Sequence, residues 1–102
     1  MPYFALQYDV VEDFVSKRMP FRPEHLKEVR ESNARGELVM AGALGEPAGA
    51  LLIFRAADKS IAENFAINDP YVKEGLVQQW TVRPWTVVIG QDPAETPPGL
   101  PS

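Results

Sequence analysis

The sequence predicts an α+β fold in which one four-stranded antiparallel sheet carries its two helices on a single face. Three observations lead there. Four apolar or aromatic runs read as strands, two segments place apolar residues at helical spacing, and the order is strand, helix, strand, strand, helix, strand. The 102 residues give room for one domain and one modest core.

The first strand is expected over residues 3–8, which are apolar and rich in aromatic side chains. Residues 9–15 leave it as a short helical turn or a loop. Residues 16–21 form a connection, because Pro20 and Pro23 both resist helix interiors. The first helix starts near Pro23, a good first-turn residue, with Glu24 at the positive end of the helix dipole. Leu26, Val29 and Asn33 share one face, flanked by His25 and Ser32. So thin a stripe predicts a helix that covers a sheet on one side and faces water on the other. Gly36 suits a left-handed cap.

Residues 38–44 are the second strand, and residues 45–49 a hairpin turn. Residues 50–55 are almost continuously apolar, which predicts a central strand. Asp58 starts the second helix by accepting hydrogen bonds from free amides, and Ile61, Ala62, Phe65 and Ala66 recur at helical spacing. That helix must stop before Pro70. Residues 71–76 allow one more turn, closed by Gly75. The last strand is expected over residues 79–89, and Pro84 within it predicts a bulge or an edge position. Residues 1–90 then form the domain. Residues 91–102, with Pro93, Pro97, Pro98 and Pro101, are expected to be a flexible tail.

This is the split βαβ, ferredoxin-like arrangement βαββαβ. A four-stranded sheet has two faces, and two helices cover one. Phe4, Leu6, Tyr8, Val39, Ala41, Leu52, Phe54, Trp80 and Val82 exceed what one covered face needs, so the second face is expected to associate. A homodimer in which two sheets meet satisfies this, and so does a tail folded over the sheet.

Composition narrows the function. The net charge of -4 opposes a general phosphate-binding surface, so no nucleic-acid partner is expected. The strand and helix order also resembles RNA-recognition modules, but no basic-aromatic motif lies on a strand. With no cysteine there is no disulfide, thiolate catalysis or sulfur-ligated zinc, and one histidine with scattered carboxylates offers no metal-ligand spacing. No segment approaches the ~20 apolar residues of a membrane span, and Met1-Pro2-Tyr3-Phe4 is no cationic leader, so a cytoplasmic protein without cofactor or metal is expected. Gly-rich phosphate loops and Gly-x-Ser-x-Gly elbows do not occur.

His25, the only histidine, is the side chain suited to proton exchange near neutral pH. If folding brings Asp69 to one ring nitrogen, the two make an oriented acid or base; otherwise Asp69 turns the backbone before Pro70 and His25 supports packing. Arg22, at the start of the same helix, and Arg18 are candidates to anchor an anionic ligand, with a solvated charge or a salt bridge to Glu24 or Asp13 as the alternative for Arg18. Gly42 either lets a ligand approach its strand or marks a bulge. Tyr8, Phe54, Trp80 and Trp85 either line an aromatic pocket between sheets or pack.

Arg22-Pro23-x-His25-Leu26, Gly36-x-Leu38-Val39-x-Ala41-Gly42, Asp69-Pro70-Tyr71-x-x-x-Gly75-Leu76 and Val82-x-Pro84-Trp85 occur in that order. Together they resemble the YCII-related (YciI-like) domain family, over about residues 3–89. The resemblance implies a ferredoxin-like fold that pairs as a dimeric α+β barrel, with His25 and Asp69 as a catalytic dyad. One branch of the family removes chloride from a chlorinated hydroxyhydroquinone, which implies a scaffold able to support proton-coupled elimination. The turn over residues 46–49 looks shorter than in many relatives, so the resemblance transfers no substrate. Two functions follow as expectations. One is a small cofactor-free enzyme performing isomerisation or elimination on an enolic or phenolic metabolite. The other is a non-catalytic domain of the same fold that binds a small ligand.

Overall fold

The structure, a computed structural model, describes residues 1–46 and 48–90. It contains β1 (Tyr3–Val10), α1 (Phe14–Lys17), α2 (Arg22–Ala34), β2 (Leu38–Leu44), β3 (Gly49–Arg55), α3 (Ser60–Asn68), α4 (Pro70–Lys73) and β4 (Val77–Trp85), with a single 3-10 turn over Met19–Phe21. The strands form one antiparallel sheet in the order β2-β3-β1-β4, the ferredoxin-like arrangement that the sequence predicts.

Register decides which side chains meet. Phe4, Leu6 and Tyr8 of β1 lie opposite Phe54, Leu52 and Ala50 of β3, and opposite Pro84, Val82 and Trp80 of β4. Alternation puts these residues on one face of the sheet. There Leu6 and Phe54 are fully buried, in a cluster with Ala62, Phe65 and Ala66 of α3 and with Val29 of α2. The helices therefore cover this face. The residues counted above as an apolar excess are mostly on the covered side; Ala41 too lies opposite Leu52. The sequence gives the parity of each strand but not the register between strands, so the two faces cannot be sorted from it. The other face carries Ala5, Gln7, Leu51, Ile53, Thr81 and Arg83, a mixed surface around a shallow hollow with Trp85 at its rim.

The helix boundaries follow local chemistry. Pro23 sits in the first turn of α2, and Gly36 takes a φ of 81° just beyond its end. The Gly36 and Glu37 amides return to the Asn33 and Ser32 carbonyls, as a left-handed cap does. The side chain of Asn33 donates to the Leu38 carbonyl at 2.8 Å, which ties the helix end to β2. The inward stripe of α2 sits one notch from the expected one: Ser32 is buried, whereas Asn33 is exposed. Asp58 accepts from the Ser60 amide at 2.8 Å at the entry to α3. Asp69, forced out of the helical region by Pro70, has φ -70° and ψ 125°, and this separates α3 from α4.

Two expectations are corrected, and Pro84 and Gly42 each decide between two alternatives. Residues 14–17, expected as the end of a short helical turn or loop and the start of a connection, form one helical turn, α1, which runs two residues into the expected connection and is closed by an Asp13–Lys17 ion pair at 3.3 Å. β4 begins at Val77 and ends at Trp85 rather than running over residues 79–89, because Trp85 pairs with Tyr3, where β1 begins. Past that point no partner strand remains for the β-branched residues 86–89. Pro84 takes the second of its two expected places: it lies in an edge strand in unbroken register, where a missing N–H is tolerated, and makes no bulge. Gly42 also pairs regularly, with Leu51; the irregularity in β2 falls between Leu38 and Met40. The expected tail, residues 91–102, lies outside the described residues.

Gly49 is required by close approach. A Cβ there would stand 2.6 Å from the Tyr8 carbonyl oxygen, a backbone atom that cannot rotate away. Gly49→Ala is expected to cost about 1–3 kcal/mol, read as a lower denaturant midpoint with an unchanged slope. An unchanged midpoint would show that β1 and β3 can separate at this point without penalty.

Candidate active site

The antiparallel order brings the end of β1, the start of α2 and the α3–α4 junction to one end of the molecule. Asp69, at that junction, is fully buried. His25, in the second half-turn of α2, places Nδ1 at 2.9 Å from Asp69 Oδ1 and 3.1 Å from Oδ2. The Tyr8 hydroxyl donates to Oδ2 at 2.7 Å, and the Tyr71 amide donates to Oδ1 at 3.0 Å. Asp69 thus caps α4 and holds the imidazole at once. The turn-forming and pairing alternatives raised from the sequence are both met, because a carboxylate has about four lone-pair sites. A carboxylate accepts and cannot donate, so Nδ1 carries the proton in this contact, and in the neutral ring it is Nε2 that keeps a lone pair.

Tyr71 fixes the ring from another direction. Its ring stacks on His25 with centroids 4.0 Å apart and planes 16° from parallel. Phe14 meets Tyr71 edge-on at 5.1 Å, and the Arg18 guanidinium lies 5.6 Å from the Phe14 ring centre. Burial is the main influence on Tyr71 and pushes its hydroxyl above the ordinary tyrosine range, against the nearby charges of Arg22 and Arg18. Tyr8 is pushed up further, first by burial and then by the charge of Asp69. Both phenols are therefore neutral donors at neutral pH.

His25 borders a cavity of about 370 Å³. Tyr8, Arg18, Arg22, Phe14 and Tyr71 line it beside His25, and Ala41, Gly42 and Ala43 of β2 close it opposite. Of the residues singled out from the sequence, His25, Arg18, Arg22, Gly42 and Tyr8 thus line one cavity, while Asp69 lies behind the imidazole, off the cavity wall. Tyr8 borders the cavity, but its hydroxyl is committed to Asp69. Around Gly42 a Cβ would meet nothing within 4 Å. Of the other aromatic candidates, Phe54 is buried in the core, Trp80 packs against it, and Trp85 is on the uncovered sheet face. Sequence reasoning missed Phe14 and Tyr71. The signal for Tyr71 was present, since an aspartate capping a Pro-initiated turn receives the amide two residues on. Among the described residues no group of three or more His, Cys, Asp or Glu is placed to hold a metal ion, and no helix is long and apolar enough to cross a membrane.

A family model for the YCII-related domain matches residues 1–86. The chain belongs to the YCII-related domain family. No curated protein matches it by sequence. Among solved structures, this YCII-related chain is similar to 5-chloro-2-hydroxyhydroquinone dehydrochlorinase (TftG) from Burkholderia phenoliruptrix AC1100, in complex with 2,5-dihydroxybenzoquinone. The TM-score is 0.69 at 20% identity, covering 83% of this chain and 94% of that one, a likeness of fold.

Removing the Tyr8 hydroxyl leaves a buried carboxylate short of one donor. Tyr8→Phe is expected to lower stability at neutral pH by about 1.5–3 kcal/mol in denaturant titrations. A phenol whose folded pKa is raised stabilises the fold below its unfolded value, near 10, and that contribution fades as pH rises past it. The gap between wild type and Tyr8→Phe should therefore narrow from about pH 9 to about pH 11. A gap that stays constant would mean that the phenol does not titrate differently on folding.

Proposed function

We propose that this protein is a small cofactor-free enzyme in which His25 and Asp69 act as an acid–base dyad on an enolic or phenolic metabolite. The observation that carries the reading is the Nδ1–carboxylate contact of 2.9 Å at the wall of a cavity. In this reading Nε2 takes the substrate proton, and Asp69 stabilises the imidazolium that forms. An isomerisation returns that proton to another substrate atom. An elimination releases it together with the departing anion. General acid–base catalysis contributes roughly 10²–10⁴-fold, which suffices for substrates whose protons are already acidic. It is little for amide or phosphate ester hydrolysis, which calls for a nucleophile, a metal or strong oxyanion stabilisation.

Arg22 and Arg18 serve in this reading as anchors for the anionic form of the ligand. Gly42 lets a flat ring lie close to β2. A one-ring ligand has room here, since a cavity of about 150 Å³ accommodates benzene and this one is about 370 Å³. The structural likeness to a dehydrochlorinase holding a dihydroxybenzoquinone supports the same class. The working unit in this proposal is a homodimer whose uncovered sheet faces, with Leu51, Ile53 and Trp85, lie against each other.

His25→Ala is expected to lower turnover by about 10²–10⁴-fold with an unchanged far-UV spectrum. The assay is chloride release from 5-chloro-2-hydroxyhydroquinone, run beside a panel of enols and phenols. Turnover that survives in the variant removes His25 from the chemistry. Ligand binding that depends on His25, with no turnover on any panel member, assigns the cavity to a non-catalytic binding domain. Light scattering at micromolar concentration should return the mass of two chains, and a single-chain mass refutes the dimer.

A further inference from the structure

Two donors beside the dyad have no acceptor. The Arg18 Nε–H and the O–H of Tyr71 are both buried with nothing to receive them, and Arg22, the neighbour of the Tyr71 hydroxyl, is itself a donor. Their residues line the same cavity as His25. Each is a donor, and a buried donor left unpaired is unfavourable unless something in the site's working state accepts from it. Asp69, the carboxylate that caps the turn of Tyr71, is already taken by His25, Tyr8 and the Tyr71 amide. The lining contains two cations, Arg18 and Arg22, and no Asp or Glu. On a chain of net charge -4 this is a local reversal of sign.

We propose that Tyr71 determines ligand specificity: its hydroxyl and the Arg18 Nε–H together hold one ionised oxygen of the ligand, so the site selects enolates and phenolates over neutral rings of the same shape. This rests on the reading of the cavity as a site for a small enolic or phenolic ligand, and it deepens that reading by naming the charge state and its receptors. The roles divide within one side chain. The Tyr71 ring orients His25 by stacking, and its hydroxyl meets the ligand. The phenol is suited to this because it stays protonated at neutral pH and donates to an anion without adding a negative charge of its own. Arg22 contributes charge from alongside.

The test compares two probes of one shape. 2,5-Dihydroxybenzoquinone carries acidic enol hydroxyls and is ionised at neutral pH, whereas 2,5-dimethylbenzoquinone has methyl groups in their place and no ionisable proton. Titration calorimetry on the full chain should show wild type preferring the dihydroxy probe by at least about ten-fold. Tyr71→Phe, which keeps the ring stacked on His25, should weaken the dihydroxy probe by about 10- to 150-fold and leave the dimethyl probe unchanged. Arg18→Gln should show the same selective loss, and it carries the test if Tyr71→Phe fails to fold. Equal loss for both probes indicates packing alone and overturns the proposal. So does an undiminished preference in Tyr71→Phe, or a wild type that binds neither probe. His25→Gln separates the two claims: it should keep the preference for the dihydroxy probe while losing turnover. If it retains turnover, the acid–base reading fails and the anion site stands.

Discussion

The site depends on one buried carboxylate that must never be left short of donors. Asp69 has no exposure to water, so its oxygens depend on the donors the fold brings to them. Three elements do so: Tyr8 from β1, His25 from α2, and the Tyr71 amide from the first turn of α4. Removing one partner from such a group is far more damaging than the average hydrogen bond suggests, because the remaining charge stays buried. The same contacts that make the site therefore clamp β1, α2 and the α3–α4 junction together. Function and stability share these atoms.

Topology makes that convergence available. Asp69 is separated from Tyr8 by 61 positions and from His25 by 44. In the βαββαβ order α2 begins where β1 ends, and α3, which follows the antiparallel β3, runs back toward that same end. Any three residues near those points would be neighbours. Pro70 adds the local adjustment. It holds Asp69 extended between two helices, so the carboxylate points back toward the imidazole while still capping the next turn.

Much of this was legible in the sequence, and the illegible parts have definite causes. Strand and helix identity followed from periodicity, and the ends of α2 and α3 from Pro23, Gly36 and Pro70. The end of β4 was not legible, because residues 86–89 look as strand-like as those before them and only the start of β1 at Tyr3 decides where pairing stops. The sheet faces could not be sorted, since alternation gives parity within a strand while register comes from the assembled sheet. His25 and Asp69 were visible as residue types. Their contact came from the order of elements, and family motifs pointed to the same pair. Tyr71 went unnoticed because an aromatic residue after Asp-Pro reads as core, and burial alone would make it so.

Polar satisfaction around the imidazole is lopsided, and the lopsidedness separates structural from ligand-directed groups. Behind His25, the Asp69 oxygens and the Tyr8 hydroxyl are paired. On the cavity side, the O–H of Tyr71 and the Arg18 Nε–H have no acceptor. Each unpaired buried donor costs on the order of 1–3 kcal/mol, a sizeable part of a net stability of roughly 5–15 kcal/mol. Ser32 Oγ is also buried and unpaired, but it lies in a groove between α2 and α3, on a helix whose preceding turn offers a carbonyl acceptor within reach of a serine side chain. Tyr71 and Arg18 border the cavity itself. A fold that completes every hydrogen bond on one side of its only imidazole and leaves donors open on the other has its unmet polar demand where a small anion would enter.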